Sequence, residues 1–174
     1  MRIAIISDIH GNLTALDAVL ADLRQQKLDL IFHGGDLPYG GSNPAEVIDC
    51  IVAEGWKGVL GNTDEMLWDS SARPALEASA PKLKPLFRVL FDLCGPATTQ
   101  MIGPSRLAWL RALPMELRHD NLLLMHASPG NARTHGHGRR RRTRNDLRAP
   151  ECRKCRLLPH PSSFHPQGGR DDRL

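Results

Sequence analysis

The apolar positions of the first sixty residues alternate between short runs and helical stripes. The β-branched run at 2–7 predicts a first strand that is buried on both faces. After Asn12, leucines at positions 13, 16, 20 and 23 recur at helical spacing and predict a helix that ends near Arg24. Runs at 28–32 and 57–60 predict two more strands. A strand, helix, strand, helix, strand order at this spacing predicts βαβ crossovers and a parallel sheet.

The second predicted helix has a recognisable start. Asn43 is placed as its N-cap, Pro44 at its first position and Glu46 three residues after the cap, followed by apolar residues at 47, 48, 51 and 52. Later segments at 81–93 and 104–113 have helical spacing or proline boundaries and predict packing helices. Runs at 115–117 and 122–125 predict a β-hairpin whose second strand leads directly into His126.

Charge divides the 174-residue chain unevenly. Residues 1–130 carry 11 Lys+Arg against 15 Asp+Glu, a net of −4, whereas residues 131–174 carry 12 against 4, a net of +8. Every Ile, Val, Met, Trp and Tyr lies before residue 131, so the last 44 residues have little apolar surface to bury. We therefore expect one folded domain at 1–130 and a basic, disordered tail at 131–174.

Composition also limits the class of protein. There is no run of 18 apolar residues and no signal-peptide pattern at the N-terminus, so we expect a soluble cytoplasmic protein that does not enter a membrane. The four cysteines are too sparse for a disulfide framework in a chain of this size, and we expect reduced thiols.

Candidate chemistry follows the predicted strands. In an open α/β sheet, ligands bind beyond the carboxyl ends of the strands, so residues directly after the apolar runs are the candidates. Alone, each such residue is more often a turn or surface feature, but together they form an ordered set in which five of six are metal-ligand types. They are Asp8 and His10 after the first run, Asp36 after the second, Asn62 and Asp64 after the third, and His126 after the hairpin.

These blocks, Asp8-Ile9-His10, Gly35-Asp36, Gly61-Asn62-Thr63-Asp64 and Met125-His126, resemble those of the calcineurin-like metallophosphoesterases in kind and order. The resemblance covers about residues 1–130. It implies an α/β fold, a β-sandwich flanked by helices, with two divalent cations at one edge. The cations would be Mn, Fe or Zn, with Mn favoured, and would activate a water for attack on phosphorus.

Residue by residue, the resemblance implies that Asp8 and His10 hold one metal, that Asp36 bridges both, and that Asn62 and His126 hold the second. Asp64 is the catalytic candidate, expected to orient Asn62 or a neighbouring group from behind the ligands. The implied substrate is a phosphomonoester or phosphodiester in a phosphorylated small molecule, a nucleotide or a phosphoprotein.

The chain departs from the family pattern at two places. Thr63 replaces a histidine that many members place beside the substrate. The C-terminal Gly-His-Thr-His block is missing, and His135 and His137 are its candidate replacements. The favoured hypothesis for the tail is a truncated or frameshifted C-terminus, which would leave the β-sandwich incomplete at its C-terminal end.

Two alternatives for the tail stay open. The array of Cys152, Cys155, His160 and His165 has a spacing that could hold zinc. The arginine run at 139–142 could contact nucleic acid. The alternative function is therefore a catalytically impaired phosphoesterase-like protein with a basic, nucleic-acid-binding tail.

Overall fold

The computed structural model describes residues 1–127. The basic tail at 131–174, its arginine run, His135, His137 and the cysteine and histidine array at 152–165 lie outside the described residues, as does the predicted domain boundary at 130. The predictions made for them stay predictions.

Helices and strands alternate in the first half of the chain, as predicted, and helices dominate the second half. The strands are β1 (Ile3–Ile6), β2 (Leu30–His33), β3 (Lys57–Gly58), β4 (Glu116–His119) and β5 (Leu122–Met125). The helices are α1 (Leu13–Leu23), α2 (Pro44–Ala53), α3 (Asn62–Glu65), α4 (Arg73–Ser79), α5 (Lys84–Arg88) and α6 (Gly95–Arg111). A 3-10 turn (Pro81–Leu83) precedes α5, and a π-helical segment (Val89–Cys94) follows it.

Two sheets are present in the described part of the chain, consistent with a mixed α/β fold. Strands β1, β2 and β3 form a parallel sheet in that order, with Ile3 opposite Leu30 and Phe32 opposite Lys57. Strands β4 and β5 form an antiparallel hairpin. The parallel sheet places the carboxyl ends of β1 and β2 next to each other, which is where the predicted site residues begin.

Apolar residues cover both faces of the parallel sheet. On one face, α1, α2 and α6 bury a core that includes Leu16, Ile48, Ile51 and Leu110. On the other face, Phe32 and Val59 pack with Leu124 of the hairpin. The described residues therefore form helices, sheet and hairpin in layers around two apolar clusters.

Several local predictions require correction. Strand β1 packs against an apolar cluster on each face, as predicted, but its side chains are only half-buried, because within the described residues its one strand neighbour is β2. The Asn43 side chain makes no capping hydrogen bond to α2 and instead accepts one from the Ser42 hydroxyl at 2.8 Å. The predicted helix at 81–93 is divided into 3-10, α and π segments.

The remaining differences concern the helix and hairpin after residue 95. Helix α6 consists of two helices that meet at Gly103, where φ is 72° and ψ is 174°. The second begins at Pro104, as predicted, and the first, from Gly95, was not predicted. The hairpin's first strand runs to His119, so its turn is the pair 120–121. No helix within residues 1–127 is long and apolar enough to span a bilayer.

Candidate metal centre

Three of the six predicted site residues have a strained backbone. Asp8, His10 and Asp36 have φ values of 59°, 51° and 56°, in the left-handed region that non-glycine residues rarely adopt. Such conformations cost about 1–3 kcal/mol each and persist where the surroundings fix them. Backbone hydrogen bonds do so here: the Asp8 N–H donates to the Gly35 carbonyl at 3.1 Å and the His10 N–H to the Asp36 carbonyl at 3.0 Å.

The Asp36 carboxylate lies between two groups of donor atoms. Its Oδ2 is 3.7 Å from His10 Nε2, which is itself 4.0 Å from Asp8 Oδ1. Its Oδ1 is 3.5 Å from His126 Nε2, which is 2.9 Å from Asn62 Oδ1. Asp8, His10 and Asp36 each offer a ligand atom within 4.8 Å of the others, a possible metal-binding group. The structure thus brings together all five predicted ligands.

The two imidazoles are oriented by backbone carbonyls. His10 Nδ1 lies 3.0 Å from the Tyr39 carbonyl and His126 Nδ1 lies 2.7 Å from the Gly34 carbonyl. A carbonyl can only accept, so Nδ1 carries the proton in each ring. In the neutral rings, both Nε2 lone pairs then face the carboxylate of Asp36, the tautomer and orientation that metal-ligating histidines adopt.

Asp64 lies behind this group and is fully buried. Its Oδ2 accepts hydrogen bonds from the N–H groups of Asp36 and Gly61, and its Oδ1 accepts one from Leu37, each at 2.9 Å. Burial, together with the nearby Asp36 charge, raises the pKa of Asp64 to about 6, and the three backbone hydrogen bonds oppose that rise. Through these three hydrogen bonds the Asp64 carboxylate connects the loop after β2 to the start of α3.

Negative charge is concentrated at this edge of the sheet. Asp8, Asp36 and Asp64 are close together, and within residues 1–127 none of them forms an ion pair with a lysine or arginine. Clustered carboxylates in a partly buried site need a compensating cation. Carboxylate, amide oxygen and imidazole ligands in one site suit first-row divalent metals.

Two glycines allow the loops to approach so closely. A Cβ added to Gly61 would overlap the Asp36 carboxylate and backbone nitrogen, and one added to Gly35 would overlap the backbone of Gly61. The Thr63 N–H donates to Asp36 Oδ1 at 2.9 Å, while its buried hydroxyl has no partner within residues 1–127. Thr63 thus contributes its backbone N–H to the site. Its side chain is at the position where the family pattern has a histidine.

Tyr39 and the helical segment predicted at 81–93 lie beside the site, although the sequence pattern indicated no such role for either. Tyr39 fixes His10 through its carbonyl and donates its hydroxyl to the Leu90 carbonyl at 2.6 Å. Phe87, Leu90 and Phe91 line a cavity that also touches His10 and Asn62. The helical spacing of residues 87, 90 and 91 predicts a packing helix, and the same spacing also suits a helix that lines a cavity.

The chain is similar to known metallophosphoesterases. The chain is similar to the crystal structure of a metallophosphoesterase from Sphaerobacter thermophilus, with a TM-score of 0.51 and 28% identity over 71% of this chain and 45% of that one. It is 45% identical over 62 residues to the uncharacterized protein MJ0912 of Methanocaldococcus jannaschii, a match covering 36% of this chain and 26% of the relative. The chain thus spans less than half the length of each of these two relatives. A family model described as calcineurin-like phosphoesterase matches residues 1–149, and the chain belongs to that family.

Proposed function

We propose that the chain is a metal-dependent phosphoesterase that hydrolyses a phosphomonoester or phosphodiester with two divalent cations. Asp8, His10 and Asp36 would hold one cation, and Asp36, Asn62 and His126 the other. The observation that carries the proposal is the position of Asp36, whose two carboxylate oxygens face two separate donor groups at 3.7 and 3.5 Å.

The donor set fits such cations. The first group combines two carboxylates with an imidazole, and the second combines a carboxylate, an amide oxygen and an imidazole. Oxygen-rich ligation with one imidazole per site is compatible with Mn, Fe or Zn, and we favour Mn because most of the donors are oxygens. When bound, the pair would polarise the phosphoryl oxygens and supply an activated water near neutral pH.

The chain's own residues prepare the site for this chemistry. Asp36 would reduce the repulsion between two cations by lying between them, and Asn62 would add an oxygen ligand without adding negative charge next to an anionic substrate. Asp64, buried away from the open side, would act as a positioning residue that holds the Asp36 and Gly61 backbones. Thr63 carries no positive charge, so stabilisation of the phosphoryl group would fall mainly to the cations.

Hydrolysis of p-nitrophenyl phosphate and bis-p-nitrophenyl phosphate, with and without added Mn²⁺, tests the proposal. We expect Mn²⁺-stimulated release of nitrophenol that falls at least about 100-fold in Asp36→Asn, since one change removes a ligand of both cations. Asp8→Ala and His126→Ala should abolish it.

Asp120→Asn is the matched control. Asp120 also has a positive φ, 49°, a conformation that asparagine tolerates, but it lies in the exposed turn between β4 and β5. The Asp120→Asn variant should hydrolyse both substrates at the wild-type rate. Equal activity in Asp36→Asn and Asp120→Asn would contradict the proposed site, and no Mn²⁺-stimulated activity in wild type would favour the catalytically impaired alternative.

A further inference from the structure

A cavity of about 490 Å³ opens beside the candidate metal centre. Its lining includes the predicted ligands His10 and Asn62 and the apolar residues Phe87, Leu90 and Phe91, which we call the wall. We call this cavity the apolar groove. Its volume is within the range of pockets that enclose small organic molecules. Because predicted metal ligands belong to this lining, a phosphoester bound at the metal centre would have the wall within reach of its alcohol portion.

The wall is fixed to the metal centre rather than merely near it. Tyr39 accepts a hydrogen bond from His10 with its carbonyl and donates one to the Leu90 carbonyl with its hydroxyl. That Leu90 carbonyl belongs to the π-helical segment Val89–Cys94 and also accepts a hydrogen bond from the Gly95 N–H. One residue therefore sets the distance between a metal ligand and the apolar wall.

The apolar groove offers a substrate few charged side chains. No lysine or arginine is among the described residues that line it. Arg73 lies nearby, with its guanidinium 5.6 Å from the centre of the Phe91 ring, but it is paired with Glu77 at 2.7 Å and Asp92 at 2.6 Å. Within residues 1–127, a substrate with further phosphates beyond the metal centre would meet apolar side chains and no unpaired lysine or arginine in the groove lining, at a high desolvation cost.

We propose that the apolar groove binds the alcohol portion of the substrate and selects a phosphoester with a single phosphoryl group and an uncharged, apolar ring. This inference rests on the proposed function, because it takes the metal centre as the place where the phosphoryl group binds. Phe87 and Phe91 are the specificity-determining residues. Burial of a flat ring against their side chains removes apolar surface from water on both partners.

The test compares 1-naphthyl phosphate with glycerol 2-phosphate in wild type, Phe87→Ala and Leu86→Ala. Leu86 is 48% exposed and does not line the groove, so Leu86→Ala is a matched control on the same helix. We expect Phe87→Ala to lower the ratio of the two kcat/KM values, naphthyl over glycerol, by about tenfold, mainly through KM for the naphthyl ester. Leu86→Ala should leave the ratio unchanged. Equal losses on both substrates, or an unchanged ratio in Phe87→Ala, would overturn the proposal.

Two further measurements separate this inference from the proposed function. In wild type, KM for 1-naphthyl phosphate should be about tenfold below that for phenyl phosphate, a comparison that requires no variant. Fluorescence titration of Asp36→Asn with 1-naphthyl phosphate reports binding without turnover. Saturable binding that weakens in the double variant with Phe87→Ala supports the groove even if no hydrolysis is found. Hydrolysis by wild type without any preference for the larger ring overturns the groove and leaves the proposed function standing.

Discussion

The metal-centre edge and the wall of the apolar groove are built in different ways. The six polar side chains at the edge come from positions spread between residues 8 and 126, and three of them lie in strained backbone. Phe87, Leu90 and Phe91 of the wall come from one helical stretch, α and then π, and none of them has a positive φ. Ligand geometry at the edge therefore depends on distant loops meeting closely, whereas the wall depends on local helix formation and apolar surface. The two regions should respond differently to the same kind of substitution.

The largest difference is expected for an added methyl group. At Gly61, φ of −93° and ψ of 166° suit alanine, but its Cβ would overlap the Asp36 carboxylate. At Gly95, next to the wall, a Cβ would lie 3.5 Å from the Leu90 carbonyl oxygen, an ordinary contact. We expect Gly61→Ala to lower Mn²⁺ affinity at least about 100-fold by displacing Asp36, and Gly95→Ala to leave affinity unchanged. Isothermal titration calorimetry measures both, and similar affinities in the two variants would mean that the edge tolerates displacement.

Removal of a carboxylate should separate the two regions next. Asp64→Ala leaves three buried N–H groups, those of Asp36, Leu37 and Gly61, without their acceptor. We expect it to lower the free energy of unfolding by about 3 kcal/mol or more. Asp92→Ala breaks an exposed pair with Arg73 beside the wall, and should have a far smaller effect. Urea denaturation of both variants checks this, and comparable losses would show that the Asp64 hydrogen bonds contribute little.

The smallest effect concerns His33, which lies in β2 below the edge. It is fully buried, its ring centre is 6.1 Å from that of Trp109, and neither ring nitrogen has a hydrogen-bond partner within residues 1–127. Burial lowers the pKa of His33 from 6.5 to about 4. Between those pH values the unfolded chain binds a proton at His33 that the folded chain does not. The titration of His33 therefore leaves the free energy of unfolding unchanged above pH 6.5 and lowers it as the pH falls towards 4.

His33→Gln should remove that pH-dependent loss, which is about 2 kcal/mol between pH 7.5 and pH 5. Unfolding free energies of wild type and variant at pH 7.5 and pH 5 measure the difference in slope. If the two proteins lose the same free energy between these pH values, His33 is not the group responsible.

The position of the candidate residues at the strand ends could be predicted from the sequence, because it depends on their order along the chain. Asp8, Asp36 and Asn62 each follow an apolar run, and parallel strands bring such positions to one edge. The hydrogen bonds that orient the ligands could not be predicted in the same way. The carbonyls of Tyr39 and Gly34 that fix His10 and His126 lie 29 and 92 residues away from them, and any residue type supplies a carbonyl.

The helical half of the chain shows the opposite limitation. Periodicity at 81–93 correctly indicated a helical stretch, but apolar spacing is the same whether a face packs in a core or lines a groove. It also could not indicate the change to a π-helical segment at Val89. The first part of α6 was missed because Gly95, Pro96, Thr98 and Thr99 are weak helix formers. The second part was predicted because Pro104 follows the non-helical Gly103 and begins a helix.

Anomalous diffraction from crystals grown with Mn²⁺ can show whether Asp36 lies between two cation sites. We expect two anomalous peaks on either side of the Asp36 carboxylate, about 3.5–4 Å apart. One should contact Asp8 and His10, and the other Asn62 and His126. A single peak on one side of Asp36, or peaks whose ligands exclude Asp36, would contradict this position of Asp36.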